Sequence, residues 1–269
     1  MSYLDNFHFQ ITGKDESPKL VFLHGLMGFS SNWRTIAKAF EDQYQILVYD
    51  QRGHGRSFHP QSGFRPEDYA NDLKLILDEL GWEKVTLVGH SMGGRNSMSF
   101  TANNMQRVSR LVVEDIGPDG DRANIDRIRS LVNFVPVPFS DRKSARSFFE
   151  NEFIERFSHN HNVKALASYL HANLMQNEQK QMVWRFSKKA ILESVEAGRA
   201  TDRWQEWASL KLPILLMRGG TSQELSQEVY EKMLEENENA RGHLFTGVGH
   251  WIHSEQPDEF IKVLGEFLS

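Results

Sequence analysis

The chain has 269 residues, of which 39% are hydrophobic and 25% charged, with a formal net charge of −5 and no cysteine. The length holds one large α/β domain with an insertion, or two small domains, and the composition is that of an ordinary globular protein. The missing cysteine excludes a disulfide framework, a thiolate metal site and a cysteine nucleophile, and the 31 lysines and arginines form no basic block of the nucleic-acid-binding kind.

The first residues, Met1 to Asn6, have neither the basic nor the apolar character of a signal peptide. No apolar run approaches the ~20 residues that cross a bilayer, so the expectation is a cytoplasmic protein without a membrane span. Phe7 to Thr12 alternates like a half-buried edge strand, and Lys19 to Leu23 reads as a buried strand ending at His24-Gly25. Asn32 to Phe40 has helical spacing, Gln45 to Tyr49 is a second buried strand, and a glycine-rich loop follows at Asp50 to Gly55. Pro66 opens a helix that Gly81 closes; Val85 to Val88 is a strand leading to Gly89, and a helix begins at Ser91 or Met92. Val108 to Val113 is the next strand. Strands alternating with helices predict right-handed βαβ units and a mostly parallel sheet.

From about Gly117 to Leu212 the alternation stops. Aromatic and apolar residues recur at helical spacing, no strand is evident, and a helical insertion over the sheet edge is expected. Pro213 to Met217 resumes the strand pattern, which argues against a second independent domain. A helix over about Leu225 to Glu235, a strand around His243 to Phe245 and a helix from Pro257 to Leu268 complete the chain.

The chemistry concentrates at Gly89-His90-Ser91-Met92-Gly93. A serine hydroxyl needs a base to take its proton and a geometry to expose it. The Gly-x-Ser-x-Gly turn between strand and helix supplies that geometry, so Ser91 is the candidate nucleophile. Acyl transfer also needs two backbone N–H groups aimed at the developing oxyanion, and Leu26, after His24-Gly25, and Met92 are the candidates. Of eleven histidines, His250 in Gly249-His250-Trp251 lies late in the chain, between the last strand and the last helix, as the order nucleophile, acid, histidine requires. His253 is expected to be a supporting or surface residue, His24 and His54 structural, and His90 turned away from the reaction. His159 and His161 lie in the insertion and can at most line a pocket. No metal-ligand spacing and no phosphate loop occurs, so no metal and no cofactor is expected.

His24-Gly25, Asp50-Gln51-Arg52-Gly53-His54-Gly55, Gly89-His90-Ser91-Met92-Gly93-Gly94 and Gly249-His250 together resemble the α/β-hydrolase superfamily over nearly the full length. Within it, His24-Gly25-Leu26-Met27-Gly28, Glu114-Asp115-Ile116-Gly117-Pro118, Arg218-Gly219-Gly220-Thr221-Ser222 and Gly249 to His253 are similar to the small YbfF-type carboxylesterases. The resemblance implies an α/β-hydrolase fold: a mostly parallel sheet flanked by helices, with residues 1–117 and 213–269 as the core and 118–212 as a helical cap or lid.

Most of the superfamily carries an aspartate shortly after the strand at Ile214 to Met217, whereas this chain has Ser222 there. A hydroxyl cannot stabilise an imidazolium as a buried carboxylate does. Asp115, at the carboxyl end of the strand after the nucleophile helix, is the expected replacement, and the YbfF-type resemblance implies the same. Glu224 is the second candidate acid; Glu114 should face the other side of its strand. The expected activity is hydrolysis of a small acyl ester or thioester through an acyl-serine, with a small-molecule acyl substrate and no nucleic acid as partner. Carbon–carbon bond hydrolysis of a diketone uses the same residues, and a non-catalytic small-molecule receptor on the same fold is the reading from another class. Phe134, Val135, Val137 and Phe139 suggest walls for an acyl or aromatic group, although most such residues are expected merely to pack the cap onto the main domain.

Overall fold

A computed structural model describes residues 2–269 except Asp121 and His161, and the side chains of residues 122–124 are not described. His161 therefore lies outside the described residues. After a 3-10 turn at Tyr3–Asn6 come β1 (Phe9–Thr12), β2 (Lys19–Leu23), a second 3-10 turn (Ser30–Trp33), α1 (Arg34–Phe40), β3 (Gln45–Tyr49), α2 (Pro66–Glu79), β4 (Val85–His90), α3 (Met92–Asn103) and β5 (Val108–Glu114). Between β5 and the next strand of the main sheet lie α4 (Arg122–Phe134), α5 (Arg142–Glu150), α6 (Glu152–Arg156), α7 (Val163–Ala172), β6 (Leu174–Gln176), β7 (Met182–Trp184), α8 (Lys188–Arg199) and α9 (Trp204–Ser209). The chain closes with β8 (Ile214–Gly219), α10 (Gln227–Glu236), β9 (Ala240–Phe245), α11 (Ile252–Glu255) and α12 (Pro257–Leu268).

The seven-stranded sheet has the order β1-β3-β2-β4-β5-β8-β9, with only β1 antiparallel to its neighbour. Parallel strands are buried on both faces, which is why β2, β3, β4 and β8 read as unbroken apolar runs. Within each strand, alternate residues divide cleanly between the two faces. Val21, Leu23, Leu87, Leu111, Val113 and Leu216 pack on one side with α2, α3 and Trp207 of α9. Leu20, Phe22, Val88, Val112, Leu215 and Met217 pack on the other with α1 and α12. A third core, with Phe148, Phe149, Phe153, Leu170 and Trp184, belongs to the stretch between β5 and β8 and meets the sheet domain at Met27. The chain runs from β2 to β3 on one side and returns to β4 on the other. That reversal opens a crevice at the carboxyl ends of β2 and β4, the usual ligand position in open α/β sheets.

The structure departs from the sequence reading in three places. The insertion carries a short antiparallel hairpin, β6 with β7, where no strand was expected. Each strand has three residues, too few for a period of two to stand out among helical spacings. The helix expected from Asn32 opens as the 3-10 turn at Ser30–Trp33 and becomes α-helical only at Arg34. β9 begins at Ala240 because an edge strand tolerates the polar Arg241 and His243.

The loop after β3 is held by a buried ion pair. Arg52 Nε reaches Asp72 Oδ2 of α2 at 2.5 Å, a second guanidinium nitrogen meets Oδ1, and Tyr3 donates to the same carboxylate at 2.6 Å. Removing one partner strands the other charge away from water, so Asp72→Ala should destabilise the fold by about 3–5 kcal/mol. Urea unfolding would show this, and Arg52→Met combined with Asp72→Leu should recover most of the loss. An Asp72→Ala midpoint equal to wild type would contradict the assignment.

Candidate active site

β4 ends at His90, and the next residue, Ser91, has φ 53° and ψ −117° before α3 begins at Met92. Left-handed φ is costly for a residue with a β-carbon, and it tips the serine out of line with both strand and helix. The turn closes because Gly93 lacks a side chain: a β-carbon there would lie 2.3 Å from the carbonyl oxygen of Leu23. β5, the parallel neighbour, ends the same way. His90 and Glu114 are register partners, and the next residue, Asp115, has φ 53°. The peptide of Ser91 is tied to β5 by its N–H to the Glu114 carbonyl at 2.9 Å, and that of Asp115 to β8 by its N–H to the Met217 carbonyl at 2.9 Å.

The fully buried Asp115 carboxylate accepts three hydrogen bonds. Gly219 N–H reaches Oδ1 at 2.8 Å, while His250 Nδ1 at 2.7 Å and the Ser222 hydroxyl both reach Oδ2. Ser222, standing where the commoner pattern has an acid, thus donates to the Asp115 carboxylate. Burial raises the Asp115 carboxyl above its ordinary range, and the Ser222 hydroxyl, the Gly219 amide and Arg218 oppose that rise. The Glu224 carboxylate is occupied elsewhere: it bridges Arg127 of α4 and Arg199 of α8, the latter at 2.7 Å. Glu114, as its strand position implied, faces the other way and takes His253 Nδ1 at 2.8 Å.

Ser91 and His250 line one cavity of about 320 Å³ between the sheet edge and the insertion. Among the described residues Ser91 Oγ makes no hydrogen bond, which leaves the hydroxyl open to the cavity. Leu26 and Met92 line the same cavity. Met92 opens α3, so its amide has no intrahelical acceptor. Leu26 is steadied from both sides: the Tyr169 hydroxyl of α7 donates to its carbonyl at 2.9 Å, and Met27, at φ 63°, donates its N–H to His54 Nε2 at 3.2 Å. His24 Nε2 accepts the Gln51 N–H at 2.9 Å, binding the turn after β2 to the loop after β3. His24 and His54 are thus structural, as their motifs suggested.

The remaining histidines fall where the sequence placed them. Of the two positions expected for His253, supporting or surface, it takes the first: it is buried and stacks on Trp33 with ring centroids 4.4 Å apart. His90 turns from the cavity chemistry toward the backbone of the His250 loop. His159 is exposed and lines the cavity. Of the two roles open to Phe134, Val135, Val137 and Phe139, pocket wall or cap packing, the structure shows packing: they lie in or against the insertion's own core. Leu131, Phe157, Leu166 and Val195 face the cavity instead. His90, Glu114 and His253 bring potential metal-binding atoms within 4.8 Å of one another. The 2.8 and 2.9 Å separations of His253 Nδ1 from both Glu114 oxygens are those of a shared hydrogen bond. They are closer than the ~3.3 Å between ligands around a tetrahedral zinc. Nothing in the donor set calls for a cofactor.

A serine and a histidine thus face one cavity at the carboxyl edge of a mostly parallel sheet. Residues 18–257 match the family described as alpha/beta hydrolase fold, and the chain belongs to that family. Among curated proteins it is 27% identical to Esterase YbfF of Escherichia coli, over 93% of this chain and 92% of the relative. It is 30% identical to the sn-1-specific diacylglycerol lipase ABHD11 of Danio rerio, over 95% of this chain and 80% of the relative. Among solved structures, a marine microorganism esterase superposes with a TM-score of 0.83 at 27% identity, covering 97% of this chain and 99% of that one. The protein is a hydrolase of the α/β fold, similar to YbfF-type esterases.

Burial, then the positive charges of Arg127 and Arg199 and the neighbouring His253, holds the His250 imidazole well below its ordinary 6.5. A lowered pKa keeps the ring neutral, and able to accept a proton, as pH falls past 6.5. Following the His250 ring protons by NMR should place its titration below pH 6.5, and Arg199→Gln should move it upward. A titration at or above 6.5 in the unsubstituted protein would contradict this electrostatic account.

Proposed function

We propose that the protein is a serine carboxylic ester hydrolase acting on small acyl esters or thioesters. The observation carrying this reading is the 2.7 Å bond from His250 Nδ1 to Asp115, in a site where Ser91 faces the same cavity from a left-handed turn. With Nδ1–H donated to the carboxylate, the lone pair of the neutral imidazole stands on Nε2, where a general base must carry it.

Ser91 Oγ attacks the acyl carbonyl carbon while its proton passes to His250 Nε2. The amides of Leu26 and Met92 bind the oxyanion, and Asp115 stabilises the imidazolium. As the tetrahedral intermediate collapses, Nε2 returns the proton to the departing alkoxide or thiolate, leaving the acyl group on Ser91. A water molecule then gives a proton to the same nitrogen and attacks the acyl carbonyl; as the second tetrahedral intermediate collapses, Nε2 passes that proton to the departing Ser91 Oγ, and the carboxylic acid is released. Residues 118–212 serve as a cap, with Leu131, Phe157, Leu166 and Val195 of the insertion opposite Leu26, Met92 and Ile116 of the core. This largely apolar lining suits a short acyl chain.

Hydrolysis of p-nitrophenyl esters of increasing chain length tests the reading. Ser91→Ala should reduce the rate to background. Asp115→Asn should lower kcat by roughly 10⁴-fold, because the amide holds the wrong imidazole tautomer, whereas Glu224→Gln should retain the His250–Asp115 pair and most activity. An Asp115→Asn protein as active as wild type would remove Asp115 from the mechanism.

A further inference from the structure

The segment bearing His250 has little regular structure of its own: it leaves β9 at Phe245 and enters the four-residue α11 at Ile252. Its backbone is held by side chains. The Gly249 and Trp251 amides both donate to Glu255, at 3.0 and 3.3 Å, which shapes the loop locally. Two buried groups outside the proposed chemistry tie it to the sheet. His90 Nε2 lies 2.9 Å from the carbonyl oxygen of His250 itself. A carbonyl can only accept, so this nitrogen carries the proton; burial holds the ring well below its ordinary pKa, so it has that proton alone. Gly25 makes room for the ring, since a β-carbon there would lie 2.5 Å from His90 Nδ1. Glu114 accepts both the backbone amide of His253, at 3.0 Å, and its imidazole, at 2.8 and 2.9 Å.

The two anchors immediately precede Ser91 and Asp115 and are register partners across β4 and β5. Each strand end therefore places one residue in the reaction and its predecessor under the His250 loop. Distances among the three reacting groups are then set by two adjacent strands, not by the loop. We infer that His90 and Glu114 are positioning residues for the general base, His90 through the His250 carbonyl and Glu114 through His253. The inference rests on the acyl-serine reading above.

The test uses the full-length protein with His90→Phe, Glu114→Ala and Glu114→Gln. Misplacing a base by about 1 Å costs on the order of 100-fold in rate. His90→Phe and Glu114→Ala should therefore lower kcat for a short p-nitrophenyl ester by roughly 10- to 100-fold, with KM within about twofold of wild type. Glu114→Gln still accepts from the His253 amide and should recover most of the loss. A readout independent of turnover is the His250 Nδ1 proton bonded to Asp115, seen by NMR as a downfield resonance, which should exchange faster in the two disruptive variants. If Glu114→Ala does not fold, His90→Phe and Glu114→Gln carry the test. Unchanged kcat and an unchanged proton resonance in folded His90→Phe would overturn the inference, as would Glu114→Gln being as impaired as Glu114→Ala. Were the wild type unable to hydrolyse the ester while the resonance still responded to both substitutions, the acyl-serine reading would fall and the positioning role would stand.

Discussion

Two adjacent parallel strands, β4 and β5, each stop at a residue forced into left-handed φ, and the rest of the site depends on that pair of stops. A non-glycine residue in such a conformation costs about 1–3 kcal/mol and persists only where the surroundings over-determine it. Here the surroundings are the sheet itself. Ser91 is bonded to β5 and Asp115 to β8 through their own amides, so the strain is offset by the most buried part of the structure. Its result is that two side chains which would otherwise point along their pleats turn toward one crevice.

Electrostatics follows from where those stops lie. A carboxylate and an imidazole with almost no access to water would each be neutralised by burial alone. The Asp115 carboxylate is kept serviceable by the Gly219 amide and the Ser222 hydroxyl, and the Ser222 contact explains how a serine can occupy the usual acid position without vacating the site. The insertion takes part as well. Tyr169 fixes the Leu26 carbonyl, while Arg127 and Arg199 meet Glu224, two residues past Ser222. Their positive charges lower the His250 pKa, so the insertion also acts on an imidazole of the main domain.

Much of this was legible in the sequence because parallel strands buried on both faces leave unbroken apolar runs, and because glycine spacing around Ser91 reports a close backbone crossing. Asp115 could be singled out by elimination once position 222 proved to be a serine, since a strand end is where a buried acid can reach a loop histidine. What escaped has no one-dimensional signature. The left-handed φ of Asp115 carries no glycine to advertise it. The pairing of His90 with Glu114 depends on the register of two strands, and the contact of Glu114 with His253 spans 139 positions. The β6–β7 hairpin is too short to show a period. Phe134, Val135, Val137 and Phe139 leave pocket wall and cap packing both open in the sequence, because an apolar cluster looks the same whether it faces a cavity or its own helix neighbours, and only packing decides between them.

The central claim is that Ser91, turned out by its strand end, is made nucleophilic by a His250 that Asp115 orients. Peptide mapping by mass spectrometry after treatment with a fluorophosphonate tests it most directly. The account predicts one adduct, on the peptide containing Ser91, formed rapidly in the wild type and lost when His250 is replaced by alanine. An adduct on a different residue, or equal labelling of Ser91 without the imidazole, would contradict it.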